Sequence, residues 1–168
     1  GPAEADLVKT LVERATTLAS QPGVTRVAVV VNRVATARRC FAQLSAAGSD
    51  VALVTGRVRA ADRDAQLAEL LPRVEAGRMR SPGDRPLFVV ATQTIEVGAD
   101  FDFDALVSEC ASLSALRQRF GRLDRLGWRG DSAGAIVLRA AKDPDDPVYG
   151  PALAETWDWL QACSRESG

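Results

Sequence analysis

Val27-Ala28-Val29-Val30-Val31 is an unbroken apolar run, and it constrains the fold of this chain more than any other feature. A strand with one wet face alternates apolar and polar residues. A run without alternation, too short for a helix, reads as a strand buried on both faces of a parallel sheet. Val51 to Val54, Leu87 to Ala91, Ala105 to Glu109 and Ala133 to Leu138 read as further strands. Between them the apolar spacing is helical. Asp6 to Ser20 carries Leu7, Leu11, Val12, Ala15 and Leu18. Ala35 to Ala47 closes at Gly48. Ala60 to Leu71 is helical, with a continuation to Ala76 compatible with the pattern. Ser114 to Arg125 is expected to be a helix capped at Ser112 or Ser114 and stopped by Gly127. Pro151 to Ser164 is expected to be a last helix with Leu153, Trp157 and Leu160 on one face. Strands alternating with helices give an α/β fold, a parallel sheet with helices on both sides. At 168 residues the chain fits one domain, residues 1–168, with Gly1-Pro2 reading as the scar of a cleaved tag and residues 1–3 set apart on that ground. Met79 to Pro86 reads as a loop and Asp143 to Pro147 as a linker.

Parallel sheets concentrate function in the loops at the carboxyl ends of their strands. Those loops here are Asn32-Arg33, Thr55-Gly56-Arg57 and Thr92 to Asp100. Side chains such as Arg, Asn and Thr grip a nucleic-acid backbone through its phosphates. Thr92 can offer a hydroxyl and a backbone N–H to a phosphate. Gly98-Ala99-Asp100 joins a permissive backbone to a carboxylate suited to ribose hydroxyls.

Downstream lies Gln118-Arg119-Phe120-Gly121-Arg122-Leu123-Asp124-Arg125. On a helix its three arginines would share one side. Guanidiniums are always charged and repel one another unless an anion faces them. Gly121 between them costs roughly 1 kcal/mol in a helix interior, which points to close approach of a ligand or backbone. The plainer alternative is a solvated charged face partly neutralised by Asp124.

Several chemistries are excluded. With no histidine, the segment has no Ser-His-Asp triad and no histidine-based acid–base or metal site. Cys40, Cys110 and Cys163 are scattered, as reduced packed thiols of a cytosolic protein would be. The formal net charge of −1 leaves nucleic-acid binding to local patches. No apolar run is long enough to span a bilayer, and no signal-peptide pattern opens the chain. Trp128 is expected to be exposed and Trp157 to pack its helix against the sheet. No Gly-x-x-x-x-Gly-Lys-Ser/Thr phosphate loop is present. Clustered arginines without a phosphate cradle suggest the second lobe of a two-lobe ATPase.

These motifs resemble the second RecA-like lobe of superfamily 2 helicases: Gln118 to Arg125 is similar to motif VI, Ala91 to Asp100 to motif V, and Val29 to Asn32 with its following helix to motif IV. Within that superfamily the chain looks most like the CRISPR-associated helicase–nucleases of type I systems, and among them like the divergent I-U/I-G helicases. Thr92 to Asp104, Glu109-Cys110-Ala111, Leu116 to Arg122 and Thr156 to Leu160 carry this likeness. The resemblance implies a RecA-like three-layer fold. It implies that Arg122 and Arg125 are arginine fingers, with Gln118 beside the phosphate or the attacking water. Arg119 would be internal, bracing motif V. Asp100 and Gly98 would hold the nucleotide, and Thr92, Asn32, Thr55 and Arg57 the backbone of single-stranded DNA. ATP would be shared with a first lobe, which would also hold magnesium, so the segment alone would hydrolyse ATP poorly. The implied partners are that first lobe, a histidine–aspartate nuclease domain of the same parent, single-stranded DNA and a CRISPR surveillance complex in the cytoplasm. Two alternatives stay open: a lobe of another superfamily 2 motor, such as an RNA helicase or restriction translocase, and a non-catalytic module that docks a partner.

Overall fold

The structure is a computed structural model and describes residues 2–56, 60–78, 83–96, 100–130, 133–140 and 148–166. Five parallel strands form one sheet: β1 (Arg26–Val30), β2 (Asp50–Val54), β3 (Leu87–Ala91), β4 (Ala105–Glu109) and β5 (Gly134–Leu138). Their order is β2-β3-β1-β4-β5. The apolar runs lie where the sequence reading puts them. β3 and β4 are buried throughout, and β1 at every residue but Arg26, because neighbouring strands and both helical layers cover them. The edge strands β2 and β5 are only partly buried.

Among the described residues five helices flank the sheet: α1 (Pro2–Ala19), α2 (Val34–Ala46), α3 (Ala60–Val74), α4 (Leu113–Phe120) and α5 (Ala152–Glu166). α1 and α2 cover one face. Leu7, Leu11, Ala15 and Leu18 pack there with Cys40 and Leu44 against Val27, Val29, Phe88, Val90 and Val107. On the other face Leu70 and Val74 of α3 meet Ala28, Val30, Val89 and Leu106, together with Ile95, Phe101 and Phe103. α4 continues this second layer beside β5 and α5, through Leu116, Val137, Tyr149 and Leu160. The alternation of Cβ direction along β1 and β3 divides the two cores. The fold is therefore the expected RecA-like, three-layer α/β sandwich. Trp128 is exposed and Trp157 half-buried.

α1 begins at Pro2 rather than Asp6, while α3 ends within the range the sequence reading allowed. α3 continues through Pro72 to Val74, and the next amide still bonds back, Glu75 N to Leu71 O. α4 stops at Phe120 instead of Arg125. Its start is as expected: Ser112 Oγ accepts from Ala115 N at 3.3 Å. Its end is set by a tertiary pairing. Phe103 N donates to Arg122 O and Asp124 N to Phe103 O, both at 2.8 Å, so the backbone after Gly121 lies along residue 103 and leaves the helix. Asp124 takes φ +43, a left-handed conformation that Asp tolerates, and its carboxylate accepts from Arg129 N. The three arginines therefore do not line one helical face. Gly121 is not in a helix interior either: it caps α4 at φ −64, and a Cβ there would meet only carbonyls of its own helix, at 3.4 Å and beyond. The Met79 to Pro86 loop is described only from Gly83, and the Asp143 to Pro147 linker lies outside the described residues.

The amino end of the sheet is tied by Asp104, which is fully buried. Its Oδ2 accepts from Thr25 N, Thr25 Oγ1 and Arg26 N at 2.8–3.0 Å, and Arg78 Nη2 donates to both of its oxygens at 3.4 Å. This carboxylate locks the start of β1 to the approach of β4. Asp104→Ala leaves two amides and a buried guanidinium short of an acceptor and is expected to destabilise the chain by about 3–5 kcal/mol. Arg39→Ala, which removes the exposed ion pair with Glu4, is expected to cost under about 1 kcal/mol. Denaturant unfolding of the two variants checks the contrast. Burial, with the charge of Glu109 behind it, pushes the Cys40 thiol up to about 12. Since the unfolded thiol titrates near 8.5, stability associated with Cys40 is present below that pH and is lost as pH rises toward 12. At pH 8 an alkylating reagent is expected to label the half-exposed Cys163 and to spare Cys40 until the chain unfolds, as peptide mapping would show.

Candidate functional site

The strand order makes a crevice at the carboxyl end of the sheet. β1 and β3 are neighbours in parallel register, Val30 opposite Ala91. The chain leaves β1 toward α2 on one face, and leaves β3 toward Ile95, Phe101 and Phe103 on the other. Connections that part in this way open a cleft, the usual ligand position in such folds. β2 pairs with β3 on the outside, Val54 opposite Ala91. Asn32, Thr92 and Thr55 thus follow three adjacent strand ends, which the sequence alone does not reveal.

All three are largely buried. The Thr92 amide donates to Val54 O at 3.2 Å, so it serves the sheet and is not available to a phosphate as the sequence reading expects. Thr92 precedes a 3-10 turn, Gln93–Ile95. Thr94 Oγ1 donates to Val54 O at 2.9 Å, and Gln93 Nε2 to Asn32 O at 3.1 Å, so this turn braces both neighbouring strand ends. Asn32 is held on every side. Its amide donates to Glu109 Oε2, its Nδ2 to Cys110 O, both at 2.8 Å, and its Oδ1 accepts from Arg119. Arg57 and Gly98 lie outside the described residues.

Arg119 is the centre of the site. It has no solvent exposure, and all five of its N–H groups have an acceptor. Nε donates to Glu96 Oε1 at 2.9 Å. Nη1 donates to Ser108 Oγ at 2.9 Å and Glu109 O at 3.0 Å. Nη2 donates to Asn32 Oδ1 at 3.2 Å and the Tyr149 hydroxyl at 3.0 Å. The planar fork joins β1, the turn after β3, β4, α4 and the segment before α5. A guanidinium so fully used cannot leave for a phosphate. Arg119 is a brace, as the resemblance implied.

Past the end of α4 the other two arginines are placed differently. Among the described residues Arg122 makes one long hydrogen bond, Nη2 to Glu96 O at 3.4 Å. Arg125 pairs through Nη1 with Asp100; both side chains are substantially exposed, 44% and 62%. Gln118 is exposed on α4. The backbone under Arg125 is fixed, because its amide donates to the buried Asp102 Oδ1 at 2.9 Å. Fixed backbones therefore carry side chains that can reach outward.

Ser108 and Tyr149 escape the sequence reading. A serine inside an apolar strand was the available signal for Ser108. Tyr149 had none, since it follows the Pro-rich linker and meets Arg119 only in space. Burial raises the Tyr149 phenol above its ordinary value, Arg119 opposes the rise and Glu96 adds to it, so the hydroxyl is protonated at neutral pH.

Residues 23–127 match the family model described as CRISPR-associated nuclease/helicase Cas3, C-terminal. The chain belongs to that family. It is a superfamily 2 helicase C-terminal lobe of the Cas3 kind. The match contains Asn32, Thr92, Arg119 and Arg125 but not β5, Tyr149 or α5. A CRISPR-associated helicase Cas3 from Thermoproteus tenax is 33% identical over 120 residues, covering 71% of this chain and 19% of that protein. The lobe thus spans about a fifth of that relative's length. Crystal structures of T. fusca Cas3 superpose with a TM-score of 0.72 at 22% identity, over 95% of this chain and 20% of that one, and of its ATP form with 0.67 at 24%, over 91% and 18%. A CRISPR RNA-guided surveillance complex in a pre-nicking state contains a chain matching at 0.65 and 24% identity, over 90% of this lobe and 21% of that chain. At these identities the superpositions speak for the fold.

A lysine has three donors and no fork. Arg119→Lys is expected to leave at least two buried acceptors unmet and to cost about 3 kcal/mol. The check is a lower denaturant midpoint at unchanged slope.

Proposed function

We propose that this Cas3-family lobe is the second motor domain of an ATP-dependent single-stranded DNA translocase in type I CRISPR interference. The observation that carries the reading is the division of labour among three arginines. Arg119 is saturated and buried, while Arg122 and Arg125 stand on braced backbones with guanidiniums that can turn to an anion. Arg122 and Arg125 act as fingers toward the phosphates of ATP held across a cleft by a first lobe. There they would stabilise charge that develops in phosphoryl transfer. Gln118 orients the phosphate or the water beside them. The Asp100 carboxylate accepts from the ribose, with Gly98 allowing close approach. The chemistry of this set fits ATP: cations for its phosphates and a solvent-facing carboxylate for its sugar. ATP supplies the cleavable phosphoanhydride. Among the described residues no acidic or sulfur cluster could hold a metal, and magnesium is assigned to the first lobe.

Thr92, Asn32, Thr55 and Arg57 follow strands β3, β1 and β2 and form the grip on the DNA backbone. Asn32, being fully engaged inside the lobe, acts by fixing that rim. Arg119 joins rim and fingers, so closure of the two lobes on ATP moves the DNA grip as one body. The parent protein adds the first lobe and a nuclease domain, and a CRISPR surveillance complex recruits it in the cytoplasm. Among the described residues no helix is long and apolar enough to cross a membrane.

In the full-length parent, Arg122→Ala and Arg125→Ala are each expected to lower DNA-stimulated ATP hydrolysis on the order of 10³-fold, with the lobe still folded. This lobe by itself is expected to be inactive, with activity appearing when it is joined to its first lobe and single-stranded DNA is present. Undiminished hydrolysis in Arg125→Ala would remove the finger. Stimulation by RNA in place of DNA would move the reading to another superfamily 2 motor.

A further inference from the structure

Tyr149 lies outside the residues that match the family, outside every helicase motif, and immediately before α5. Its ring packs on the small cluster of Ala111, Ala115 and Leu116, which seats α4 against β5 and α5. Its hydroxyl oxygen accepts from Arg119 Nη2 at 3.0 Å, and the Gln93 side chain lies close enough to act on the phenol as well. Gln93 belongs to the turn that follows Thr92 and also holds Asn32 O. Arg119 belongs to the helix that delivers Arg122 and Arg125. One phenol therefore touches the turn beside the proposed DNA rim and the helix behind the proposed fingers.

We propose that Tyr149 is a positioning residue whose hydroxyl couples the strand-end rim at Thr92–Gln93 to the arginines after α4, so that occupation of the rim by a nucleic-acid backbone is felt at the fingers. This rests on the motor reading above. The two segments have further links through Glu96 and Asn32, so the ring and the remaining bonds hold the fold when the hydroxyl is removed. What the hydroxyl adds is a tie between Gln93 and Arg119 that is independent of the strands. A net hydrogen bond to a charged group corresponds to a factor of about ten in an equilibrium. The hydroxyl is thus large enough to set a coupling between two sites.

The test is Tyr149→Phe in the full-length parent, with ATP hydrolysis measured across a titration of single-stranded DNA. The expected result is a rise of about tenfold in the DNA concentration needed for half-maximal stimulation, or a fall of similar size in the stimulated-to-basal ratio. Gln93→Met removes the other arm, and with it the bond to Asn32 O, without touching Arg119, and should shift the DNA titration at least as far. The double variant should be no worse than Gln93→Met alone. Parallel loss of basal and stimulated rates with a lowered melting temperature would make Tyr149 a packing residue only and overturn the proposal. So would an unchanged DNA titration in both variants. A wild-type parent with no DNA-stimulated hydrolysis would instead overturn the motor reading itself, which separates the two failures.

Discussion

A buried guanidinium with five partners organises this lobe. Arg119 is a cation without solvent, and such a group is tolerable only when its charge and every N–H are answered. Glu96 answers the charge; Ser108, Glu109, Asn32 and Tyr149 complete the donors. Ser108 and Glu109 come from β4, and the other three acceptors come from three further segments: the turn after β3, the end of β1 and the approach to α5. The cost of leaving any of them unmet forces those elements into one arrangement. The brace is thus a specification of geometry more than a source of net stability, since an apolar core of equal volume could be as stable. What it adds is a rim and a helix end that cannot move independently.

A second charged knot works at the other end of β1 and β4. Asp104 gathers the amides of Thr25 and Arg26, and Arg78 bridges it to Asp102, whose other oxygen holds the Arg125 amide. Arg125, proposed above as a finger, therefore stands on a backbone anchored to the core of the fold. Its side chain is the exposed part, paired with Asp100 at the surface. An exposed pair of this kind is weak in water, so an incoming phosphate can compete for the guanidinium at small cost.

The two ends also explain why short polar loops suffice for a site. β1 and β3 are adjacent, and their connections depart to opposite faces. The chain opens a cleft there without spending extra residues on it. Asn32 and Thr92 reach that cleft because of strand order alone. The strand side of the cleft is held by the sheet's own hydrogen bonds, such as the Thr92 amide to Val54, which is why little of its backbone remains for a ligand. Any binding there falls to side chains and the loops beyond.

The sequence by itself determined the layers. Unbroken apolar runs such as Val27–Val31 can be buried only between two covering layers, and the helical spacing of Leu7, Leu11, Ala15 and Leu18 supplies one of them. It also pointed to the chemistry proposed above, because clustered arginines without a phosphate loop leave few roles. The end of α4 was decided elsewhere. Gly121 opposes a helix there by only about 1 kcal/mol; the backbone of Phe103 captures Arg122 and Asp124 and fixes the end at that glycine. That capture turns one presumed arginine face into a buried brace and two outward groups. The strand order, the use of Asn32 as an internal tie and the meeting of Tyr149 with Gln93 and Arg119 were likewise tertiary outcomes. Local pattern reports which side of an element is apolar. It carries no information on which distant backbone will take up a hydrogen bond, and in this lobe those long-range bonds decide what each arginine does.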